Sequence, residues 1–225
     1  MVDKYKDKTI LVLGGGTSTL DVKWENLDFD YVWTCNDFYL ENRILQVPID
    51  LYLLAYTTDL SNKKLVYKLK QERPTIIYEP THYRGKQYSN EFRDFVENIG
   101  TAVAVRDIKT IEDLSRPALK SGAMFRLIAL ALQTEAKQIH FVGFDGFNKE
   151  FSNRHAFTKH TGLKDTDTRR DWTKHYKEVF IDAYNILIPF SDRLQNLGEG
   201  LDYNLGTEVS KKYFPLKQEL YEKLK

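Results

Sequence analysis

Short apolar runs alternate with amphipathic, charged segments along most of the chain, and this is the pattern of strands that alternate with helices. Residues 50–56 (DLYLLAY) are almost continuously apolar, as expected for a strand that is buried on both faces of a parallel sheet. Residues 89–99 instead repeat their apolar side chains at helical spacing, and Gly100 follows them as a stop signal. The alternation predicts an α/β fold.

The same reasoning gives the full set of predicted elements. We expect strands at residues 10–13, 31–37, 50–56, 75–78, 101–105, 138–146 and 200–205. We expect helices at residues 21–27, 63–73, 89–99, 121–136 and 216–224, and a long helix from about residue 172 that is interrupted near Pro189. These elements predict a single domain over residues 1–225, with a mainly parallel twisted sheet of about seven strands and helices on both faces.

Residues 147–171 form a long polar and charged stretch without clear periodicity. Loops of this length are uncommon in compact domains unless they are functional or disordered. We therefore predict a lid loop over about 147–171.

Three consecutive glycines, Gly14 to Gly16, end the first apolar run, and Thr17 and Ser18 follow them. Glycine lets a backbone turn sharply and approach a ligand, because no Cβ stands in the way. If a helix begins at Thr17 or Ser18, its free N–H groups form a ready site for phosphate. The stretch is not the dinucleotide fingerprint, because Thr19 occupies the place of the third glycine. A plain strand-to-helix turn is the alternative.

Polar residues follow several of the predicted strands, and ligands of open parallel sheets bind outside the carboxyl ends of the strands. These polar strand ends are residues 14–18, 36–37, 57–59 and 82–84, Asp145, and the helix start at Ser121. We expect them to converge on one rim, and this convergence favours a binding role for the glycine turn.

Composition argues against several classes of protein, namely general nucleic-acid binders, disulfide-bonded proteins and membrane-spanning proteins. The 33 basic and 32 acidic residues nearly cancel, which argues against a general binder of nucleic acid or membrane surfaces. Cys35 is the only cysteine, so no intramolecular disulfide can form, and this fits a reducing compartment. The first residues lack the apolar core of a signal peptide, and no run approaches the roughly 20 apolar residues of a membrane span. We expect a soluble, cytoplasmic protein.

Four motifs then point to a known family. They are GGGTSTL at 14–20, CNDFYL at 35–40, SGAMFRLIALAL at 121–132 and IHFVGFDGF at 139–147. In their order and rough spacing, the chain resembles the family 42 bacterial sialyltransferases and related Rossmann-like proteins, over roughly residues 9–205. The resemblance implies a Rossmann-like, nucleotide-sugar-dependent glycosyltransferase that inverts the anomeric centre and needs no obligatory metal.

The resemblance also implies site residues. The glycine turn would lie against the phosphate and ribose of the donor, Asn36 would contact the nucleobase, and the start of the central helix would complete the site. The implied donor-binding residues are Gly14, Gly15, Gly16, Thr17, Ser18, Asn36, Ser121, Gly122 and His155. Two departures leave the donor open between a CMP-sugar and a UDP-sugar. Residues 53–59 offer no clear match for a second base-reading asparagine, and Phe147 and His155 replace two tyrosines that hold the leaving phosphate.

The reaction needs a base for the acceptor hydroxyl, and histidine suits it because its pKa lies near working pH. The resemblance places that base at His175, with His160 as the competitor, and either could instead be a solvated histidine. His140 alternates with apolar neighbours inside a strand and is expected to be packed. Asp145, at a strand end, would orient hydroxyls of the acceptor or the ribose, or simply cap the loop.

The loop supplies cations that could hold phosphate or acceptor, since arginine gives a bidentate fork. The candidates are Arg154, His160, Arg169 and Arg170, and a merely solvated loop is the alternative. Residues 165–167 have the D-x-D spacing that other glycosyltransferases use for Mg or Mn, although they lie in mid-loop.

Two other functions fit the same residues. A Mg-dependent diphosphokinase-like phosphotransferase would use Asp37, Asp145, Asp165 and Asp167 to hold its metal. A non-catalytic nucleotide-binding module is the other alternative. For the transferase, a glycan is the favoured acceptor, and a hydroxylated base in DNA is an open alternative because basic loop residues could line the site.

Overall fold

The computed structural model of the chain describes residues 2–16, 18–54, 58, 61–78, 90–99, 101–104, 122–144, 185–198 and 217–225. Within them lie seven strands: β1 (Thr9–Leu13), β2 (Tyr31–Cys35), β3 (Leu51–Leu54), β4 (Thr75–Tyr78), β5 (Thr101–Ala104), β6 (Gln138–Val142) and β7 (Leu194–Asn196). They form one sheet in the order β5-β4-β3-β2-β1-β6-β7, and every neighbouring pair is parallel. The predicted α/β class and its seven-stranded parallel sheet are confirmed.

The strand order reverses at β1. The chain runs outward from β1 through β2 to β5, and it then returns to place β6 on the other side of β1. Such a reversal opens a crevice between the two strands at their carboxyl ends, where ligands of open α/β sheets bind. In this chain the crevice lies between β1 and β6.

Helices connect the strands and cover the sheet. They are α1 (Ser18–Asp21), α2 (Asn42–Gln46), α3 (Lys63–Glu72), α4 (Asn90–Ile99), α5 (Gly122–Gln133) and α6 (Gln218–Leu224). Short 3₁₀ turns cover Val2–Lys4, Trp24–Asn26, Phe38–Leu40 and Ile188–Phe190. Of these described helices, none is long and apolar enough to cross a lipid bilayer.

Each face of the sheet carries its own apolar cluster, because side chains alternate along every strand. One cluster packs Ile10 and Val12 of β1 against α5, whose Phe125 and Ile128 are fully or almost fully buried. The cluster on the other face packs the alternate strand residues, such as Leu11 and Leu13 of β1, against α3 and α4. The predicted placement of helices on both faces is therefore confirmed.

Several predicted boundaries need correction. The strand expected at 31–37 stops at Cys35 because Asn36 takes a left-handed φ of 52°, and the strand expected at 138–146 stops at Val142 because Gly143 takes a φ of 78°. The helix expected at 21–27 is instead α1, one turn earlier, followed by the 3₁₀ turn Trp24–Asn26.

The last strand is a further difference. β7, with the sequence LQN, was not predicted because two of its three residues are polar, although all three are buried beside β6. The strand expected at 200–205, the lid loop expected at 147–171 and most of the long helix expected from 172 lie outside the described residues.

Candidate functional site

The carboxyl ends of β1 and β6 are joined by backbone hydrogen bonds directly beyond the strands. The Gly14 N–H donates to the Val142 carbonyl at 2.9 Å, and the Gly16 N–H donates to the Gly143 carbonyl at 3.0 Å. Both amides are therefore already used inside the protein and are not available to a phosphate. We call Gly14–Gly16, Ser18, Thr19 and Gly143 the glycine junction.

The two hydroxyl side chains of the glycine junction complete the connection. The Ser18 hydroxyl accepts from the Gly143 N–H at 3.0 Å, and the Thr19 hydroxyl donates to the Gly14 carbonyl at 2.9 Å. Thr19 also donates its own N–H to the Gly16 carbonyl at 3.1 Å. Both side chains are buried, so they hold the turn in place from beneath.

Two of the glycines are required by close packing. A Cβ on Gly14 would lie 2.6 Å from the Met124 sulfur and 2.7 Å from the Gly143 carbonyl oxygen. A Cβ on Gly143 would lie 2.4 Å from the Thr19 hydroxyl oxygen, and its φ of +78° is one that L side chains rarely adopt. The left-handed residue of this turn is thus Gly143, which sequence reasoning missed although it directly follows the apolar run of β6.

Helix α1 begins at Ser18, as one of the two predicted starts had it, but it contains only four residues. One helical turn carries little of the dipole that a long helix would direct at an anion. The start of α1 therefore attracts a phosphate only weakly. The start of α5 also reaches the turn, because Met124, two residues after Gly122, lies against Gly14.

One strand away, Asn36 is held by its backbone while its side-chain oxygen remains unused. Its N–H donates to the Leu53 carbonyl at 3.1 Å, and its carbonyl accepts from the Tyr52 hydroxyl at 2.6 Å. Its Oδ1 is buried, yet among the described residues it accepts no hydrogen bond. A buried acceptor without a partner loses free energy, and a ligand donor would restore that loss.

The surroundings of Asn36 are polar and largely shielded from water. Burial raises the pKa of Tyr52 well above its ordinary 10.0, so the phenol stays protonated and continues to donate to Asn36. Asp37 is also buried and accepts from the Tyr39 hydroxyl at 3.1 Å. Thr58, also buried at 7% exposure, lies close enough to Tyr52 to offset part of the rise in the pKa of that phenol.

Two further side chains with reactive groups, Cys35 and His140, do not fit a catalytic role. Burial, reinforced by the charge of Asp37, raises the pKa of Cys35 to about 12, so its thiol is neutral at physiological pH and is a poor nucleophile. His140 lies in the middle of β6, away from the carboxyl edge, and burial lowers its pKa to about 4. Its predicted role as a packed residue is confirmed.

The remaining predicted site residues lie outside the described residues. They are Thr17, Ser121, Asp145, Arg154, His155, His160, Arg169, Arg170 and His175. Within the described chain, no group of three or more His, Cys, Asp or Glu side chains could hold a metal ion.

A cavity of about 410 Å³ lies away from the rim. It is lined by Lys70, Arg73, Asp94, Phe95, Asn98 and Ile99. These residues immediately precede or flank the starts of β4 and β5, so the cavity lies at the amino edge of the sheet, opposite the glycine junction. It takes no part in the candidate site.

Comparison with solved structures places this fold among known ones. The sialyltransferase CstII from Campylobacter jejuni, in complex with the substrate analogue CMP-3FNeuAc, matches with a TM-score of 0.64 and 18% sequence identity, over 95% of this chain and 88% of that chain. The same enzyme with cytidine-5'-monophosphate matches with a TM-score of 0.61 and 17% identity, over 96% and 87% of the two chains.

A second protein gives a similar result. The monofunctional alpha-2,3-sialyltransferase Cst-I from Campylobacter jejuni matches with a TM-score of 0.61 and 20% identity, over 95% of this chain and 81% of that chain. No protein-family model matches this chain, and no curated protein sequence matches it either. The structural likeness over almost the whole chain confirms the Rossmann-like fold that the four sequence motifs imply.

Proposed function

We propose that this chain is a nucleotide-sugar-dependent glycosyltransferase whose donor binds at the rim formed by β1, β2 and β6. The observation that carries the proposal is the coincidence of two features at one edge of the sheet. The glycine junction lies at the crevice where the strand order reverses, and the unpartnered Oδ1 of Asn36 lies one strand away. Ligands of open α/β sheets bind at this position.

The donor that we favour is a CMP-sugar, with a UDP-sugar as the alternative. The structural neighbours include a sialyltransferase in complex with CMP and with CMP-3FNeuAc, which supports a cytidine nucleotide. An unpartnered amide oxygen at Asn36 suits a base that presents a hydrogen-bond donor, and both pyrimidines do so. The nucleotide titration tests the nucleobase, and the identity of the sugar, sialic acid or another, is tested by varying the CMP-sugar in the turnover assay.

In the proposed reaction, His175 takes the proton from an acceptor hydroxyl as that oxygen attacks the anomeric carbon of the sugar. The bond from this carbon to the nucleotide phosphate breaks, and the phosphate oxygen keeps the electron pair. Attack from the opposite side inverts the anomeric centre. Asp145 would orient hydroxyls, and the glycine turn with Thr17, Ser121 and Gly122 would complete the donor site.

The lid over 147–171 would supply the leaving-group contacts and exclude water from the donor. His155 would contact the departing phosphate, and cations of the same segment would share its charge. The cations proposed for this role are Arg154, His160, Arg169 and Arg170. We propose that no metal is obligatory, and a D-x-D pair at 165–167 would be the place for Mg or Mn if one binds.

The donor is tested by calorimetric titration of the purified chain with CMP, UDP and GDP, each with and without Mg²⁺. We expect CMP to bind at micromolar to millimolar concentration without metal. Absence of binding by any of the three at millimolar concentration would contradict the proposal. Binding or hydrolysis of ATP that strictly needs Mg²⁺ would instead favour a phosphotransferase.

The identity of the general base is tested with two variants in one turnover assay, with a CMP-sugar as donor and a panel of glycan acceptors. His175→Ala should reduce turnover by about 10²–10⁴-fold, the usual worth of general acid–base catalysis, while CMP affinity stays nearly unchanged. His160→Ala is the matched control and should act much less. The reverse order of the two effects would move the base to His160, and no turnover with any acceptor would favour a non-catalytic binding module.

The acceptor is tested by the same assay. Glycans are the favoured acceptors, and DNA is the alternative to be included beside them. If DNA is bound through phosphate contacts, its affinity should fall steeply with salt, and no DNA binding at low ionic strength would dismiss it.

A further inference from the structure

Arg43 is the second residue of α2, in the segment that follows Asn36, and its side chain reaches back to α1. The guanidinium donates to the carbonyl oxygens of Thr19 at 3.1 Å, Leu20 at 2.8 Å and Val22 at 2.7 Å. These carbonyls form the carboxyl end of α1, which has no further helical turn to satisfy them. One side chain thus caps the helix that leaves the glycine junction.

The same guanidinium is fixed from its other side. Its Nε and Nη2 atoms donate to the two carboxylate oxygens of Glu25, and its carbon lies 5.0 Å from the centre of the Trp24 ring. Burial alone would raise the pKa of Glu25, but the hydrogen bonds from Arg43 and from the Glu25 backbone outweigh it and lower that pKa. The carboxylate therefore stays charged, and the pair is bidentate.

All five N–H donors of Arg43 are engaged in this arrangement. Three donate to backbone carbonyls and two to Glu25, and a guanidinium has no others. An arginine beside a glycine turn is often interpreted as a phosphate ligand. Here the guanidinium has no donor left for one.

Arg43 contacts one residue of the glycine junction directly, Thr19. The Thr19 carbonyl accepts from Arg43 and, at 3.1 Å, from the Trp24 indole N–H. The Thr19 hydroxyl donates to Gly14, and its N–H donates to Gly16. A shift of α1 after loss of Arg43 would therefore move the residues that hold the turn.

We infer that Arg43 is a positioning residue for the donor site. It sets the place of the glycine junction relative to Asn36 without touching the donor, because its segment carries Asn36 at one end and its side chain holds α1 at the other. The part of this inference that concerns nucleotide affinity rests on the proposed function. The part that concerns the turn stands on the contacts alone.

Lys68, which lies on α3, offers a matched control at the other end of α2. Its ammonium donates to the carbonyls of Leu45 at 2.9 Å and Val47 at 2.8 Å, at the far end of α2, and it pairs with Glu72 at 2.6 Å. Like Arg43, Lys68 is a cation that caps backbone carbonyls and pairs with a carboxylate. Among its described contacts, however, none is with the glycine junction.

The experiment compares Arg43→Met, Arg43→Lys and Lys68→Met with the unaltered chain. Hydrogen exchange is measured at the amides of Gly14, Gly16, Thr19 and Gly143, relative to amides within β1 of the same sample. Arg43→Met should speed exchange at these four amides by about tenfold, since a tenfold change is 1.4 kcal/mol, the scale of one hydrogen bond to a charged group. Arg43→Lys keeps the charge and up to three donors. Its exchange rate at these amides should lie between those of the unaltered chain and Arg43→Met.

Lys68→Met should leave this relative exchange unchanged even if the melting temperature falls further than in Arg43→Met. CMP titration of the same proteins should show about tenfold weaker binding for Arg43→Met and less than about twofold change for Lys68→Met. Equal relative exchange in Arg43→Met and Lys68→Met would overturn the inference. If Arg43→Met does not fold, unchanged relative exchange in Arg43→Lys would do the same.

The two hypotheses fail separately. An unaltered chain that does not bind CMP would contradict the proposed function, while the exchange measurement would still decide the role of Arg43. If the unaltered chain binds CMP and Arg43→Met binds it equally well, the role in affinity is wrong although the proposed function stands.

Discussion

The carboxyl ends of β1 and β6 and the carboxyl end of β2 lie side by side on the sheet, yet they use their polar groups in opposite ways. At the glycine junction, the amides of Gly14, Gly16 and Gly143 all donate inside the protein. At the end of β2, Asn36 satisfies its backbone but leaves Oδ1 without a partner in the described chain. We call the first region closed, because these amides are all used, and the second open, because it retains an unused acceptor.

This difference changes what a glycine-rich turn means in this chain. The turn does not offer Gly14 and Gly16 as phosphate donors, since both amides are occupied. Its glycines permit β1, β6 and α5 to approach each other more closely than a Cβ would allow at Gly14 or Gly143. A bound ligand would then form its hydrogen bonds with residues at the end of β2. The glycine turn would offer it a backbone surface that it can approach closely.

The largest expected effect is on the closed region. Gly143→Ala should lower the free energy of unfolding by about 2–4 kcal/mol, because it combines overpacking against Thr19 and Gly14 with a left-handed backbone. Denaturant unfolding checks this value. Asn36→Ala is the control in the open region. Residue 36 also has a left-handed φ, but an alanine there overlaps nothing in the glycine junction, so the free energy of unfolding should fall by only about 1 kcal/mol. Equal losses would mean that the two regions do not differ in packing.

Acid should weaken the strand that supports the closed region. Burial lowers the pKa of His140 on β6 from 6.5 to about 4, with a smaller contribution from the charge of Lys217. Between pH 6.5 and 4 the unfolded chain binds this proton and the folded chain does not, so stability falls as the pH falls. The loss develops to about 3 kcal/mol at pH 4 and levels off below it.

Unfolding measured from pH 7 to 4 checks this slope against His140→Leu, which has no proton to take up. The variant should lose less stability than the unaltered chain across the same pH window. Parallel curves for the two proteins would show that His140 does not titrate as its burial requires.

Asn36→Gly should have the smallest effect on stability but a clear effect on CMP binding. Asn36→Gly removes the side-chain amide while keeping the left-handed backbone without strain, so unfolding should change by less than about 1 kcal/mol. CMP affinity should fall about tenfold, since one hydrogen bond to a buried acceptor is lost. Asn36→Asp, which keeps an acceptor oxygen at this place, is the matched comparison. Unchanged affinity in Asn36→Gly would remove Asn36 from the proposed site.

Much of the sheet could be predicted from the sequence, because buried parallel strands are apolar runs and their order along the chain is visible. β7 could not, since Gln195 and Asn196 are polar residues that are nevertheless buried beside β6. The ends of β2 and β6 were placed too late for a related reason. The left-handed φ at Asn36 and Gly143 is a backbone property that no periodicity reveals.

The sequence could predict which residues form the site, but it could not predict the hydrogen bonds among them. Gly14 to Gly16 and Asn36 were expected at one rim, and the parallel sheet brings them to one edge. The bond from Gly143 to Ser18 joins residues 125 positions apart, so the sequence could not show that the junction would use its own amides. The same holds for Arg43, whose five contacts depend on α1 lying against α2.

We propose that a nucleotide binds where the open and closed regions meet. Hydrogen exchange with and without saturating CMP tests it most directly, because it reports both regions and the distant cavity in one measurement. We predict new protection in peptides that cover 14–22 and 35–40, and no change in peptides that cover 70–73 and 94–99 at the amino edge. Protection at the amino edge alone, or none anywhere at millimolar CMP, would contradict the account.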